Sequence, residues 1–284
     1  VQAGGLDPVE QGYRALLAKD DAAQEEMDRW IQEADRKGSD ADSAGLGRRI
    51  EDRIAEVERA YREFLAQNPK HVAARIAYGS FLEDVGREES ARQEWEKALA
   101  LDPSNAAVHN NLAGVYAHRG PVTNAFVHYE KAIELKPDEA VYYHNFGTVV
   151  FLYRTDVKAH YGLTNEQAVF DKALGLYARA MRLQPANFIL ASDVAQTYYG
   201  IQPPRHEEAL AAWKRAYDLA GDDLERQGVR VHLARIQVEM GRLEEARANL
   251  NAVTNAHYAE VTGRIRRKLE RKEQERPAES KPTP

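Results

Sequence analysis

The chain has 284 residues, 43% apolar and 30% charged, with 39 basic against 45 acidic side chains for a net charge of −6. That balance leaves no excess of cations to neutralise phosphates along the whole chain, and no apolar run nears the roughly 18 to 20 residues that a membrane-spanning helix takes. The absence of cysteine removes disulfides, thiolate metal sites, iron–sulfur clusters and cysteine nucleophiles together.

Length alone suggests about two ordinary domains. Long stretches rich in Ala, Glu, Leu, Arg and Lys, all good helix formers, point instead to an all-α chain whose repeats set its size. In chain order, residues 1–20 read as an N-terminal segment. Residues 21–71 form an atypical first repeat: a helix carrying Ala23, Met27, Trp30, Ile31 and Ala34, a Gly/Ser/Asp loop from Gly38 to Gly47, and a long second helix to Gln67. Regular repeats follow at 72–105 and 106–139. The fourth, 140–187, carries an insertion, the fifth, 188–226, lacks the terminal proline, and the sixth, 227–255, turns at Gly241. A helix over 256–275 is expected to cap the last face, and 276–284 has the composition of a disordered tail.

The repeat rests on several coincident registers. Pro69, Pro103 and Pro137 stand 34 residues apart, and Pro185 follows 48 later, which is 14 more. Eight positions before each proline stands an aromatic residue, Tyr61, Trp95, Tyr129 and Tyr177, with Trp213 as the next of the series. Ala91, Ala125, Ala173, Ala209 and Ala246 keep one beat, and Ala98, Ala132, Ala180 and Ala216 another. In the first half of each repeat, Gly79, Ala113, Gly147, Ala195 and Ala234 each follow a larger residue. Small residues let two antiparallel helices approach, the aromatic fills the hole beside them, and proline stops the second helix.

This pattern resembles the tetratricopeptide repeat, a helix-turn-helix unit of about 34 residues, most completely over Ala106–Pro137. The resemblance implies a right-handed α-solenoid of about six such repeats, with one elongated hairpin and a C-terminal capping helix. It also implies a non-enzymatic scaffold that binds a protein or peptide partner, with the first helices of successive repeats lining a concave groove. A homo-oligomer is compatible with it.

In the fourth repeat, Phe146, Val150, Tyr153, Val157 and Tyr161 step along one helix face, Gly162 breaks it, and Thr164-Asn165-Glu166-Gln167 reads as a capping box. About two extra turns in each helix, roughly 10 Å, predict a hairpin that outgrows its neighbours, with Val169 and Phe170 packed back on Val157 and Tyr161. Its tip, Val157, Tyr161 and Leu163, is either a contact surface or packing on the chain itself.

Groove positions, transferred by the repeat, hold Asn110 and Asn111, His144 and Asn145, Ser192 and Asp193, and Val231 and His232, with Gln196 and Arg235 one turn on. Asparagine can serve an extended peptide with both a donor and an acceptor; the alternative is an ordinary solvated or inter-helix polar face. Tetratricopeptide domains that grip the acidic C-terminus of heat-shock chaperones share Asn111, but Ile76, Val141 and Asn145 stand where such a clamp needs Lys and Arg. The carboxylate clamp is incomplete.

No catalytic signature is legible. His206-Glu207-Glu208 lacks the second histidine of a zinc-protease helix, and no nucleophile elbow, phosphate loop or dinucleotide fingerprint occurs. Neither a metal nor a cofactor is expected, and an enzyme hidden in the groove is the weakest alternative. Charge is uneven: Arg264–Arg276 carries +4 and residues 1–263 carry −10. The basic end suits RNA or an anionic lipid surface, or is the solvated face of a capping helix. The chain opens on Val1-Gln2-Ala3-Gly4-Gly5 without an initiator methionine, which fits removal of a signal peptide. A bacterial, periplasmic or exported location is expected, with a cytoplasmic one as the alternative.

Overall fold

The computed structural model describes residues 7–38 and 43–275. The expected tail and part of the Gly38–Gly47 loop lie outside these residues. Among them run fourteen α-helices and no strand. None of the helices is long and apolar enough to cross a membrane. The chain divides into two compact units, Val1–Pro137 and Asp138–Pro284.

The first unit holds three helical hairpins: α1 (Pro8–Lys37) with α2 (Ser43–Gln67), α3 (Val72–Asp84) with α4 (Glu88–Leu101), and α5 (Ala106–Arg119) with α6 (Val122–Leu135). Each packs on the next, α2 against α3 and α4 against α5. The second unit holds α7 (Ala140–Leu152), α8 (Arg154–Tyr161) and α9 (Glu166–Leu183), then α10 (Phe188–Thr197) with α11 (His206–Leu219) and α12 (Asp223–Glu239) with α13 (Leu243–Asn251). It closes with α14 (Ala259–Glu275), packed on α12 and α13. The result is an all-α solenoid of stacked hairpins.

Local chemistry explains the punctuation. Asn105, Asn187 and Asp222 accept from the backbone N–H three residues on, at 3.2, 2.9 and 2.8 Å, and so open α5, α10 and α12. Gly86 and Gly241 sit at φ 76° and 74°, a left-handed conformation in which other residues are strained. Each turn carries the same pair of bonds, Arg87 N–H to Leu82 and Arg242 N–H to Gln237 among them, at 2.7 and 2.8 Å. The aromatic registers are core: Trp95 is fully buried against Gly79, where a Cβ would stand 2.4 Å from the indole Nε1. Tyr177 covers Gly147 in the same way, with a Cβ there meeting its ring at 2.8 Å.

Three expectations need correction. Residues 8–20 do not stand apart: they are the first turns of α1, which buries Leu16 and Asp20. Tyr61 of α2 donates to the Asp20 carboxylate at 2.5 Å, and burial raises the acid's pKa while raising that of the phenol well above its ordinary value. Tyr61→Phe should therefore cost about 1 to 3 kcal/mol through the buried acceptor it abandons, read as a lowered midpoint in urea denaturation.

The second correction concerns the insertion. Its first arm is not one long helix, because α7 ends at Leu152 and Tyr153, at φ −101° and ψ 48°, bends the chain into α8. Arg154 donates to the freed Phe151 carbonyl at 3.2 Å and lies 5.6 Å from the rings of both Phe151 and Phe170, which holds the bend. Only the second arm lengthens as a single helix: α9 has 18 residues where α4 and α6 have 14. The third correction is the cap of α9, which is Asn165 rather than Thr164, bonding Ala168 N–H at 2.9 Å.

Candidate functional site

In the second unit the predicted groove residues come from α7, α10 and α12. His144 Nε2 lies 3.4 Å from the Asp193 carboxylate, so the first helices of neighbouring hairpins meet through side chains here. The His144 ring is 5.8 Å from that of Tyr177. Asn145 is half-buried on α7, and Gln196 and Arg235 are exposed on α10 and α12. His232 is held far more tightly: its ring stacks on Trp213 at 4.0 Å and 2°, and its Nδ1 is 2.9 Å from the Tyr199 hydroxyl. Burial, with Arg235 nearby, pushes its pKa down to about 4, so the ring is neutral at neutral pH. In the first unit Asn110 and Asn111 are half-buried on α5, and Asn110 Nδ2 donates to Asn111 Oδ1 at 3.3 Å.

Of the predicted hairpin tip, Val157 is fully buried and cannot meet a partner. Bending at Tyr153 is what turns it inward against α9. Tyr161 is half-buried with Lys172 Nζ 3.8 Å from its ring centre, and Leu163 is half-buried in the turn that follows.

Two clefts adjoin the groove residues of α12. One, of 430 Å³, runs between α11, α12 and the stretch that follows α10 and is lined by Tyr198, Tyr199, Ile201, Arg205 and Arg235, among others. The other, of 280 Å³, lies between α12 and α14 and includes Arg235, Glu239, Arg264 and Lys268. Sequence reasoning reached Arg235 but not the clefts. The short 3-10 turn Tyr198–Gly200 and the irregular stretch to Arg205 build the larger one, and neither has a counterpart in the repeat.

A polar arrangement missed in the sequence recurs between the two helices of a hairpin, 19 residues apart. Arg75 pairs with Glu94 at 2.9 Å, His109 Nδ1 meets His128 Nδ1 at 2.9 Å, and Arg230 donates to Asn249 at 3.2 Å. Arg75 and His109 also reach the carbonyl of the repeat-ending proline before them, Pro69 at 2.8 Å and Pro103 at 3.2 Å. A carbonyl only accepts, so His109 carries its proton on Nε2. Burial lowers both imidazole pKa values and keeps the rings neutral, so His128 Nδ1–H donates to His109 Nδ1. The signal was present in the register: each first partner lies four before Gly79, Ala113 or Ala234, and each second lies three after Ala91, Ala125 or Ala246. Among the described residues no cluster of three His, Asp or Glu could hold a metal ion.

The profile of the TPR repeat family matches residues 84–120, which span α4 and α5. Over these residues the chain matches a tetratricopeptide repeat. Among solved structures, the chain is similar to that of PilW, a widely conserved type IV pilus biogenesis factor, at a TM-score of 0.59 and 14% identity, covering 88% of this chain and 98% of that one. It is also similar to YrrB, described as a TPR protein with an unusual peptide-binding site, at a TM-score of 0.52 and 18% identity, covering 76% of this chain and 99% of that one. Identities this low bear on the fold alone. No curated protein sequence matches the chain.

Proposed function

We propose that the protein is a non-enzymatic interaction scaffold that captures an extended peptide or partner helix on the face formed by the first helices of its tetratricopeptide repeats. The observation that carries this reading is the convergence of α7, α10 and α12 in the second unit, where His144 meets Asp193 and Tyr199 meets His232 across separate hairpins. Such side chains offer donors, acceptors and ring faces to a backbone laid across the helices. The description of YrrB as a peptide-binding repeat protein supports the same class of partner.

Against the rival reading, an anionic partner on the basic last helix, three of that helix's cations are bonded within the chain. Lys268 bonds Glu239, Lys272 donates to the Val238 carbonyl at 2.9 Å, and Arg266 donates to Asn251 at 2.9 Å. The buried Ile265 and Leu269 make α14 a cap on α12 and α13.

The test is a crosslinking pull-down that identifies a partner, followed by its titration against Asn111→Ala, Asn145→Ala and Asp193→Ala. Loss of affinity in at least one variant is expected. Unchanged affinity in all three would sink the groove reading.

A further inference from the structure

Arg235 stands out among the cations of the second unit. It is exposed on α12, lines both clefts, and its guanidinium lies 5.2 Å from the centre of the Tyr199 ring. No carboxylate lies within ion-pair distance of it among the described residues. Its neighbours differ: Arg205 is held by Asp171 at 2.6 Å, and Lys268 by Glu239. Arg264 faces Glu260 at 3.7 Å. Glu239, the one acidic residue on either cleft, is already engaged by Lys268, with Lys272 a further 3.9 Å away. Of the four cations lining the two clefts, Arg205, Arg264 and Lys268 each face a carboxylate, which leaves Arg235 as the uncompensated charge there. The local field favours an anion at Arg235.

The floor of the larger cleft is apolar and rigid. Ile201 is fully buried in its wall, Tyr198 and Ile236 add apolar surface, and Tyr199 is fixed by His232, itself stacked on fully buried Trp213. A shelf already ordered loses little entropy when a ligand lands on it. We propose that this place binds an acidic segment of an extended peptide, a Glu or Asp carboxylate on Arg235 and an aliphatic side chain two residues along, on the same face of the peptide, in the 430 Å³ cleft. The proposal rests on the scaffold reading and narrows its ligand to peptides with acidic and aliphatic residues two apart. A nucleic acid would use the cations but leave the aliphatic floor unfilled.

The experiment is fluorescence anisotropy with a labelled peptide that repeats Leu-Ser-Glu-Ser, which puts Leu and Glu on one face when extended, and with its counterpart in which Gln replaces Glu, against the full chain. The Glu peptide should bind more tightly than the Gln peptide and weaken as salt rises. Arg235→Gln should weaken the Glu peptide about tenfold and leave the Gln peptide unchanged, while Arg235→Lys keeps part of the affinity and both variants keep the wild-type melting temperature. Equal binding of the Glu peptide to wild type and Arg235→Gln overturns the site, as does no binding to wild type at millimolar peptide. Stronger competition by a single-stranded RNA oligonucleotide than by unlabelled Glu peptide overturns it as well. Each of these failures stands apart from the scaffold reading, which falls only when the pulled-down partner ignores Asn111→Ala, Asn145→Ala and Asp193→Ala.

Discussion

Trp95→Ala should lower the stability of the first unit by about 3 to 5 kcal/mol, the range for deleting a large buried aromatic side chain. The indole is fully buried, its Nε1 donates to the Ile76 carbonyl at 3.1 Å, and its ring lies directly on Gly79. Gly79→Ala attacks the same contact from the other side. Three atoms of the indole would stand 2.4 to 2.8 Å from the new methyl group, and neither a ring packed on all sides nor the helix backbone can yield cheaply. A loss of about 1 to 3 kcal/mol is expected. Combining Gly79→Ala with Trp95→Leu should recover part of it, because the smaller side chain vacates the space. Hydrogen exchange supplies the sharper readout. Repeats in a solenoid are stabilised by their nearest neighbours, so protection should fall in α3 to α6 and persist in α9 to α14. An unmoved urea midpoint in Gly79→Ala, or protection lost evenly along the chain, would contradict the packing described.

Acid should weaken the fold through its histidines. His232, His109 and His128 all have pKa values lowered by burial, His232 to about 4 from an ordinary 6.5. For such groups the unfolded chain takes up protons first, so the stabilisation is complete above pH 6.5 and is lost as pH falls toward the folded value. For His232 alone the loss is about 2 kcal/mol by pH 5. Asp20, Glu83 and Asp84 have raised pKa values and act in the opposite sense. The informative comparison is therefore variant against wild type. The melting temperature of His232→Phe, which keeps a flat ring on Trp213, should fall less between pH 7 and pH 5 than that of the wild type. Parallel slopes would show that His232 does not carry the effect.

The parts of the fold that recur were the parts legible in the sequence. Gly79 and Trp95, or Gly147 and Tyr177, announce their contact because the repeat shows both partners in one register several times over. Where the chain departs from the repeat, periodicity misleads. The face from Phe146 to Tyr161 has helical spacing throughout, yet one residue, Tyr153, leaves helical geometry and reverses the fate of Val157 from tip to core. Nothing in the spacing of apolar residues reports a backbone torsion. The groove residues on α7, α10 and α12 were placed by register alone, and Arg235 and His232 emerged with opposite characters. One is exposed with an uncompensated charge, and the other is neutral and stacked. Those differences come from Tyr199 and the irregular stretch that follows, which no repeat template encodes.

The polar pair that bridges the two helices of a hairpin is built from different chemistry in each place it occurs. Arg75 and Glu94 attract as ions, His109 and His128 share a proton donor between neutral rings, and Arg230 and Asn249 join a cation to an amide. Hairpins with nearly the same backbone thereby acquire separate sensitivities. Burial shields the first largely from salt, protonation disrupts the second, and the third keeps its charge and its bond in acid. A change of surroundings would accordingly loosen one hairpin of the stack while its neighbours stay closed.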